Sequence, residues 1–428
     1  MVNVLVDDYG PRTQWIFRLM FEEILGMPFV INGPDDARAR AVLNYSAADM
    51  PGVPSIRPAG LLAERSISSQ QISVEDHDGM PVFYRVKGGD LPFDPFSMAF
   101  YLVSRYEEYL PFEPDRHGRF PHTASLAWKE DFLKEPLVNR LAMSIRDLLL
   151  KHYPGLPSPT GKYSFFPTVD VDMAYAHLGK GFFRTGAAMA KLLLKGEAGE
   201  IRSRVRTMSG KQEDPYDNFE RMHRTFEGSG LQAVYFVLAG DRGPYDRNLS
   251  TRNRRFASLI RRLDQQAAIG IHPSYRSADE PSRIAKELHR LQRICGRKIT
   301  KSRQHFVRLS MPDTYRELLR YGITDDYSMG YASICGFRAS IANAFSFYDL
   351  KYEQPTGLRI HPFMFMDTSL GDYMELKPAQ YVSAVQPVIG EVKKYGGTLC
   401  GIWHNYALGD DEEKYRAFEE IIELAANV

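Results

Sequence analysis

The strongest constraint on the fold is a regular alternation of short apolar runs and amphipathic stretches that starts near residue 163 and continues to the C-terminus. Phe165 to Val171 reads as a strand, and Leu231 to Leu238 (LQAVYFVL) as a strongly apolar one. Further strands are predicted at Ala268 to His272, Ile299 to Phe306, Gly322 to Asp325, Leu358 to Phe363 and Thr398 to Trp403. Helical periodicity falls between them, at about Arg252 to Gln265, Ser282 to Ile294 and Pro312 to Tyr321, and a helix at about Asp411 to Ala425 closes the chain. Parallel strands need a crossover, and helices of this length supply it. Six or seven such units in about 265 residues predict an α/β fold with a parallel sheet, open or closed. Strands so evenly spread favour a (β/α) barrel, here a distorted one.

The alternation begins after Tyr153-Pro-Gly-Leu-Pro-Ser-Pro-Thr-Gly-Lys162, which holds three prolines and two glycines in ten residues. Proline disfavours helix at its own position and the one before it, so this segment reads as a linker between domains at 1–155 and 163–428. The first part reads as a smaller α+β unit. It has a strand at Val2 to Val6 and helices at about Gln14 to Leu25 (stopped by Gly26), Pro95 to Tyr109 (capped by Asp94) and Pro136 to His152. The apolar stripes of these helices predict core. Arg105, Glu107 and Glu108 read as a solvated, ion-paired helix face, with a functional role as the alternative.

Composition removes several classes of function. With 54 Lys+Arg against 53 Asp+Glu, a net charge of +1 provides no global field for nucleic acid. Nor do basic and aromatic residues interleave as single-strand binders require. No apolar run reaches the length of a membrane-spanning helix, and no secretory leader is visible, so the expected location is the cytoplasm. The three cysteines (Cys295, Cys335, Cys400) have no close pair. They are neither a disulfide framework nor a zinc ribbon.

Chemistry in parallel α/β folds gathers at the C-terminal ends of strands. Here the ends read Thr168-Val-Asp-Val-Asp172, Gly270-Ile-His-Pro-Ser-Tyr275, Ser302-Arg-Gln-His-Phe306, Asp325-Asp326 and Ile402-Trp-His-Asn405. Asp170 and Asp172 share one face of an extended strand, roughly 7 Å apart. Such a pair favours a division of labour, one carboxylate binding a metal and the other remaining a base; a pair of turn or cap aspartates is the plainer alternative. His272, set before Pro273, together with a carboxylate suits zinc or another first-row divalent ion, or it is a satisfied interior histidine. His404 emerges from an apolar strand and suits general-acid work. Arg303 on a buried strand demands a carboxylate partner, and Asp170 is the natural one.

These residues resemble the motifs of the polysaccharide deacetylase family, the NodB-homology or carbohydrate esterase family 4 group, over about Tyr163 to Val428. Thr168-Val-Asp-Val-Asp172 is similar to the family's Thr-Phe-Asp-Asp strand end, and Ala233-Val-Tyr-Phe-Val237 to its Ala-Thr-Phe-Phe-Val strand. Gly270-Ile-His-Pro-Ser-Tyr-Arg276 aligns with Gly-Asn-His-Thr-x-x-His. Ser302-Arg-Gln-His305 resembles the arginine-bearing strand, and Gly401-Ile-Trp-His404 the Leu-x-His strand end. The resemblance implies a metal-dependent hydrolase that removes acetyl groups from an N-acetylated sugar or polysaccharide. Asp170 would be the base, Arg303 would orient it, and His404 would protonate the leaving amine. Asp172 and His272 would bind a divalent metal, zinc by expectation, and the partner would be carbohydrate. One departure stands out: the family's second histidine is Arg276 here, and a guanidinium cannot ligate a metal. His305 is the first candidate for the missing ligand and His361 the second. The same departure motivates the alternative of a catalytically degenerate protein of glycan binding or polysaccharide assembly. Leu43-Asn-Tyr-Ser46, Phe93-Asp-Pro-Phe96 and Ser104-Arg-Tyr-Glu-Glu-Tyr-Leu110 resemble an uncharacterised domain found ahead of divergent deacetylase domains in bacterial proteins.

Between the first strand and the helix near Tyr216 lies a basic insertion, about 177–213. It holds eight Lys/Arg against three Glu, a net of +5, around the apolar cluster Ala187 to Leu194. A helical lid or solvated insertion is the expectation, and contact with a membrane surface or an anionic glycan the alternative.

Overall fold

The predicted C-terminal strands recur in order, but two shrink to two residues each: Gly322 to Asp325 becomes Asp325–Asp326 and Ile299 to Phe306 becomes Lys301–Ser302, and the second change shapes the site. In the computed structural model, which describes residues 1–33, 40–159 and 161–427, nine strands form one sheet. Thr160 of the expected linker lies outside the described residues. The N-terminal strands are β1 (Val2–Val6), β2 (Phe29–Ile31), β3 (Ala41–Tyr45), β4 (Glu75–His77) and β5 (Met80–Val82). The large sheet comprises β6 (Ser164–Val171), β7 (Val234–Val237), β8 (Ala268–Ile271), β9 (Lys301–Ser302), β10 (Asp325–Asp326), β11 (Phe345–Asp349), β12 (Gln354–Ile360), β13 (Phe365–Met366) and β14 (Thr398–His404). Their order is β11-β12-β10-β9-β8-β7-β6-β14-β13, and all neighbours are parallel except β11 and β12.

The expected strand Ile299 to Phe306 pairs only at Lys301 and Ser302. The chain then turns sharply, with Phe306 and Val307 both left-handed at φ +59° and +54°. For a β-branched valine this is a true outlier, and each such residue costs of order 1–3 kcal/mol. Just before this turn the chain still runs along the end of β8, where the Arg303 N–H donates to the Ile271 carbonyl at 3.0 Å and the His305 N–H to the Pro273 carbonyl at 3.2 Å, and this holds His305 at the strand ends.

The ladder is not closed by hydrogen bonds. β11 and β13 are its two edges, so the expected barrel is an open sheet in its hydrogen bonding. Residues 327–343, between β10 and β11, form no strand. Instead this segment meets the β13 side of the opening: the Phe363 N–H donates to the Met329 carbonyl at 3.0 Å and the Gly336 N–H to Met364 at 2.9 Å. Strands β11 and β13 and the helix Tyr381–Lys394, which carries Pro387 in its interior, were not legible in the periodicity.

In the first part, β2-β1-β3 form a small parallel sheet and β4-β5 a hairpin. Asp94 caps the helix Pro95–Val103 by accepting from the Phe96 and Ser97 N–H groups at 3.0 and 3.1 Å, worth about 1 kcal/mol. This helix ends six residues before the expected Tyr109, because Arg105 is left-handed (φ +55°) and starts a separate turn at Tyr106–Tyr109. The expectation of a solvated face there is corrected: Arg105 and Glu108 are buried, and Glu108 pairs with both Arg105 and Arg338. One continuous apolar core joins the small sheet to the large one. Across that seam Arg12 pairs with Glu353 at 2.5 Å, and the Trp15 indole N–H donates to the Ser346 carbonyl at 3.2 Å.

Candidate functional site

Strand register assembles the site. His404 of β14 pairs with Asp170 of β6, Asp170 with Phe236 of β7, and Phe236 with Gly270 of β8, while Ile271 pairs with Ser302 of β9. The chemistry-bearing ends of β14, β6, β8 and β9 therefore lie side by side. Asp170 and Asp172, two apart along one extended segment, face the same way, as the period of a strand requires. They open into a cavity of about 120 Å³, also lined by His272, His305 and His404.

Asp172, His272 and His305 offer ligand atoms that all lie within 4.8 Å of one another, and all three residues are buried. The hydrogen bonds fix the tautomers. His272 Nδ1 lies 2.5 Å from the Arg303 carbonyl, which can only accept, so Nδ1 carries the proton and Nε2 presents a lone pair. That lone pair faces Asp172 Oδ1 at 3.1 Å, and Oδ1 has no hydrogen-bond donor. His305 Nδ1 donates to Asp246 Oδ1 at 2.9 Å, turning its Nε2 toward Asp172 Oδ2 at 3.5 Å. Acceptors thus converge on one point from three side chains, an arrangement that requires a cation or an extra proton between them. Without an ion the proton takes that place. Burial opposes the charge on His305, but Asp172 and Asp246 override it and raise its pKa to about 10. Asp172, despite burial, is held well below the carboxylate range by His305 and His272.

The remaining expected residues are also here. Arg303, fully buried, places Nη1 3.5 Å from Asp170 Oδ1, and its guanidinium lies between the rings of Phe236 (4.8 Å) and Phe363 (5.6 Å). His404 directs Nε2 toward Asp170 Oδ2 at 3.9 Å and Asp172 Oδ2 at 3.7 Å. Its Nδ1 donates to Asp367 Oδ1 at 2.6 Å, and the other oxygen of Asp367 accepts the His404 backbone N–H at 2.6 Å. Burial opposes protonation of His404, yet Asp367 raises its pKa to about 9.

Two expected candidates stand elsewhere. Arg276 is exposed on the turn Tyr275–Ala278, with its guanidinium against Gly243. His361 is outside the group of ligand atoms: its Nε2 pairs with Asp325 at 2.8 Å and its ring stacks on Tyr327. The second candidate ligand is therefore corrected, because the short β10 and β12 ends give His361 a carboxylate of its own.

Sequence reasoning missed Asp246, Asp367 and Arg119. Asp367 carried a usable signal, an acid at the end of the apolar run Phe363 to Met366. Asp246 sits in a loop and gave none. Arg119 comes from the first part of the chain and lines the cavity, held by Asp115 Oδ2 at 2.7 Å and the Phe306 carbonyl at 2.8 Å.

Residues 2–154 match a protein family described as a family of unknown function, DUF7033. No curated protein matches the chain. Among solved structures, the chain is similar to a protein from Mycobacterium smegmatis assigned to the polysaccharide deacetylases, at 13% identity and a TM-score of 0.43, over 64% of this chain and 87% of that one. It is similar to a family 4 carbohydrate esterase from Streptomyces lividans, at 10% identity and a TM-score of 0.29, over 63% and 88%. It is also similar to a CE4 family pseudoenzyme from Bacillus anthracis, at 11% identity and a TM-score of 0.27, over 61% and 63%. These matches fall on the family that the motifs resemble; at such TM-scores they assign no residue a role.

Proposed function

We propose that the protein is a divalent-metal-dependent hydrolase that removes acetyl groups from an N-acetylated sugar or polysaccharide. One observation carries the reading. The donor set of Asp172, His272 and His305 presents lone pairs to a common point, with an orphaned carboxylate oxygen at its centre, beside a second carboxylate and a histidine that do not join it. This set fits zinc, which favours nitrogen and oxygen ligands and keeps an open position in catalytic sites. The Arg303 carbonyl and Asp246 orient the two imidazoles as outer partners of a metal site do. A bound divalent ion would supply Lewis-acid polarisation of the amide carbonyl.

The chain's own residues supply the proton chemistry. Asp170 takes the proton of the attacking water, and Arg303 holds the carboxylate in place. His404 gives the proton on Nε2 to the departing amine, and Asp367 fixes the tautomer that makes this atom the donor. Arg119 ties the first 155 residues to the rim of the cavity, so the unit at 1–155 contributes to the site of the unit at 163–428.

Acetate release from an acetylated chito-oligosaccharide by zinc-loaded protein tests the reading. Asp170→Asn and His404→Ala should each lower the rate by roughly 10²–10⁴-fold while zinc stays bound. The second reading, a degenerate protein that binds glycan, is motivated by Arg276. Glycan binding with neither bound zinc nor acetate release would establish it and overturn the first.

A further inference from the structure

The basic insertion forms a helical hairpin. Its helices are Phe182–Lys195 and Ala198–Met208, joined at Gly196 in the left-handed conformation (φ +72°). The base is rigid: buried Asp214 accepts the backbone N–H groups of Ala176, His177, Leu178 and Tyr216 at 2.6–3.1 Å. The Asn405 amide, next to His404, donates to the Met173 and Tyr216 carbonyls at 3.0 and 2.8 Å, which fastens the base to the rim of the site.

The first helix has no buried residue. Thr185, Ala188, Met189 and Leu192 are partly covered and form one side. A second side carries Arg184, Lys191 and Lys195 at helical spacing. The third carries Phe183, Ala187, Ala190 and Leu194, flanked by Phe182 and Leu193, and it is bare: Phe182 and Phe183 are 89% exposed and Leu194 is 90% exposed. No residue from 178 to 213 lines the cavity, so the hairpin is not its lid. The cations are largely uncompensated. Among the described residues, Lys195 is the one member of the eight with a carboxylate within ion-pair distance, Glu197 at 3.5 Å. Arg204 is buried, and its Nε and Nη1 have no partner. Lys180 is lowered to about 8 by burial and then by Arg204, with Arg184 and Arg242 adding to it against Asp214.

We propose that this hairpin docks the protein on an anionic phospholipid bilayer, the Phe182/Phe183/Leu194 face entering the interface and the flanking Lys and Arg meeting the phosphates. A helix with aromatic and leucine side chains on one face and cations on the next lies naturally in that plane. The chemistry disfavours a glycan on this face, since Ala187, Ala190, Leu193 and Leu194 offer nothing to hydroxyl groups. The proposal is independent of the reaction at the site.

Flotation of the full chain with vesicles of phosphatidylcholine, alone or mixed with phosphatidylglycerol, tests it. Binding is expected only with the anionic lipid and should weaken as salt rises. Phe183→Ser with Leu194→Ser should reduce the affinity roughly tenfold or more, and Lys191→Glu with Lys195→Glu should abolish binding. In Phe183→Trp, the emission of the new indole should shift to the blue on anionic vesicles. These positions are exposed, so the variants fold. Three results would each overturn the proposal: no flotation at low salt, flotation indifferent to the Phe183 and Leu194 changes, or a dimer that those changes dissolve, which would make a second copy the occupant.

Discussion

The charge cluster around Glu108 and the one around Asp172 are both buried, and they are built on opposite rules. In the seam between the first part of the chain and the large sheet, Glu108 accepts from Arg105 Nε at 2.8 Å and from Arg338 at 2.9 and 2.6 Å. Arg105 also donates to Glu107 at 2.8 Å, and Arg338 to the Gly330 carbonyl at 3.1 Å. Two cations meet two anions, and none of their buried polar atoms lacks a partner. At and behind the cavity, Asp172 Oδ1, Asp246 Oδ2 and Arg303 Nε have none, and two imidazoles turn Nε2 toward one carboxylate. A closed cluster fixes the position of one element on another. An open one keeps donor atoms unspent, as holding an ion or moving a proton requires.

Substitutions can break this contrast. Glu108→Gln would leave Arg105 and Arg338 buried with too little negative charge. It should cost about 3–5 kcal/mol, a large part of a typical folding free energy, read as the shift of the urea midpoint at constant slope. Asp172→Asn should shift the balance from stability to binding. Zinc affinity, measured by chelator competition, should collapse, while the unfolding midpoint of the metal-free protein falls by less than for Glu108→Gln, because Asp246 still pairs with His305 once the Asp172 charge is gone. A drop in stability equal to that of Glu108→Gln would show that both clusters are structural.

Asp246→Asn sharpens the comparison from outside the ligand set. It weakens the hold on His305 Nδ1 and should lower zinc affinity about 10–100-fold with little change in stability. The smallest effect belongs to Asp325. Its hydrogen bond to His361 holds its pKa down at about 2, so its contribution to stability is complete above about pH 4 and is lost as pH falls through 2. Asp325→Asn should therefore cost under about 1 kcal/mol at neutral pH. The difference from the parent should vanish near pH 2, as followed by urea midpoints at stepped pH.

Much of the site was legible in the sequence because the strand period is short and strict. Val-Asp-Val-Asp on a strand puts both carboxylates on one face whatever surrounds it. Apolar runs ending in His272 and His404 mark places where buried backbone emerges. Asp94 as a cap and Gly26 as a stop followed from local backbone chemistry alone. Arg105, Glu107 and Glu108 misled because a helical charge cluster looks the same on a surface as in a seam; its burial depends on Arg338, more than two hundred residues away.

The sequence by itself determined the parallel α/β architecture, the order of the chemistry-bearing strand ends and the residue types they carry, since periodicity and capping are local. Tertiary structure alone decided which histidine completes the group with Asp172 and His272. Sequence spacing ranked His305 and His361 but could not separate them. The bond from the His305 N–H to the Pro273 carbonyl and the grip of Asp246 on its imidazole hold His305 at the end of β8, while Asp325 draws His361 away. It also decided that Asp246 and Asp367 stand behind two of the imidazoles and that Arg119 reaches the cavity from the first part of the chain. These contacts join residues far apart in sequence, and only the packing of one continuous core sets the distances between them.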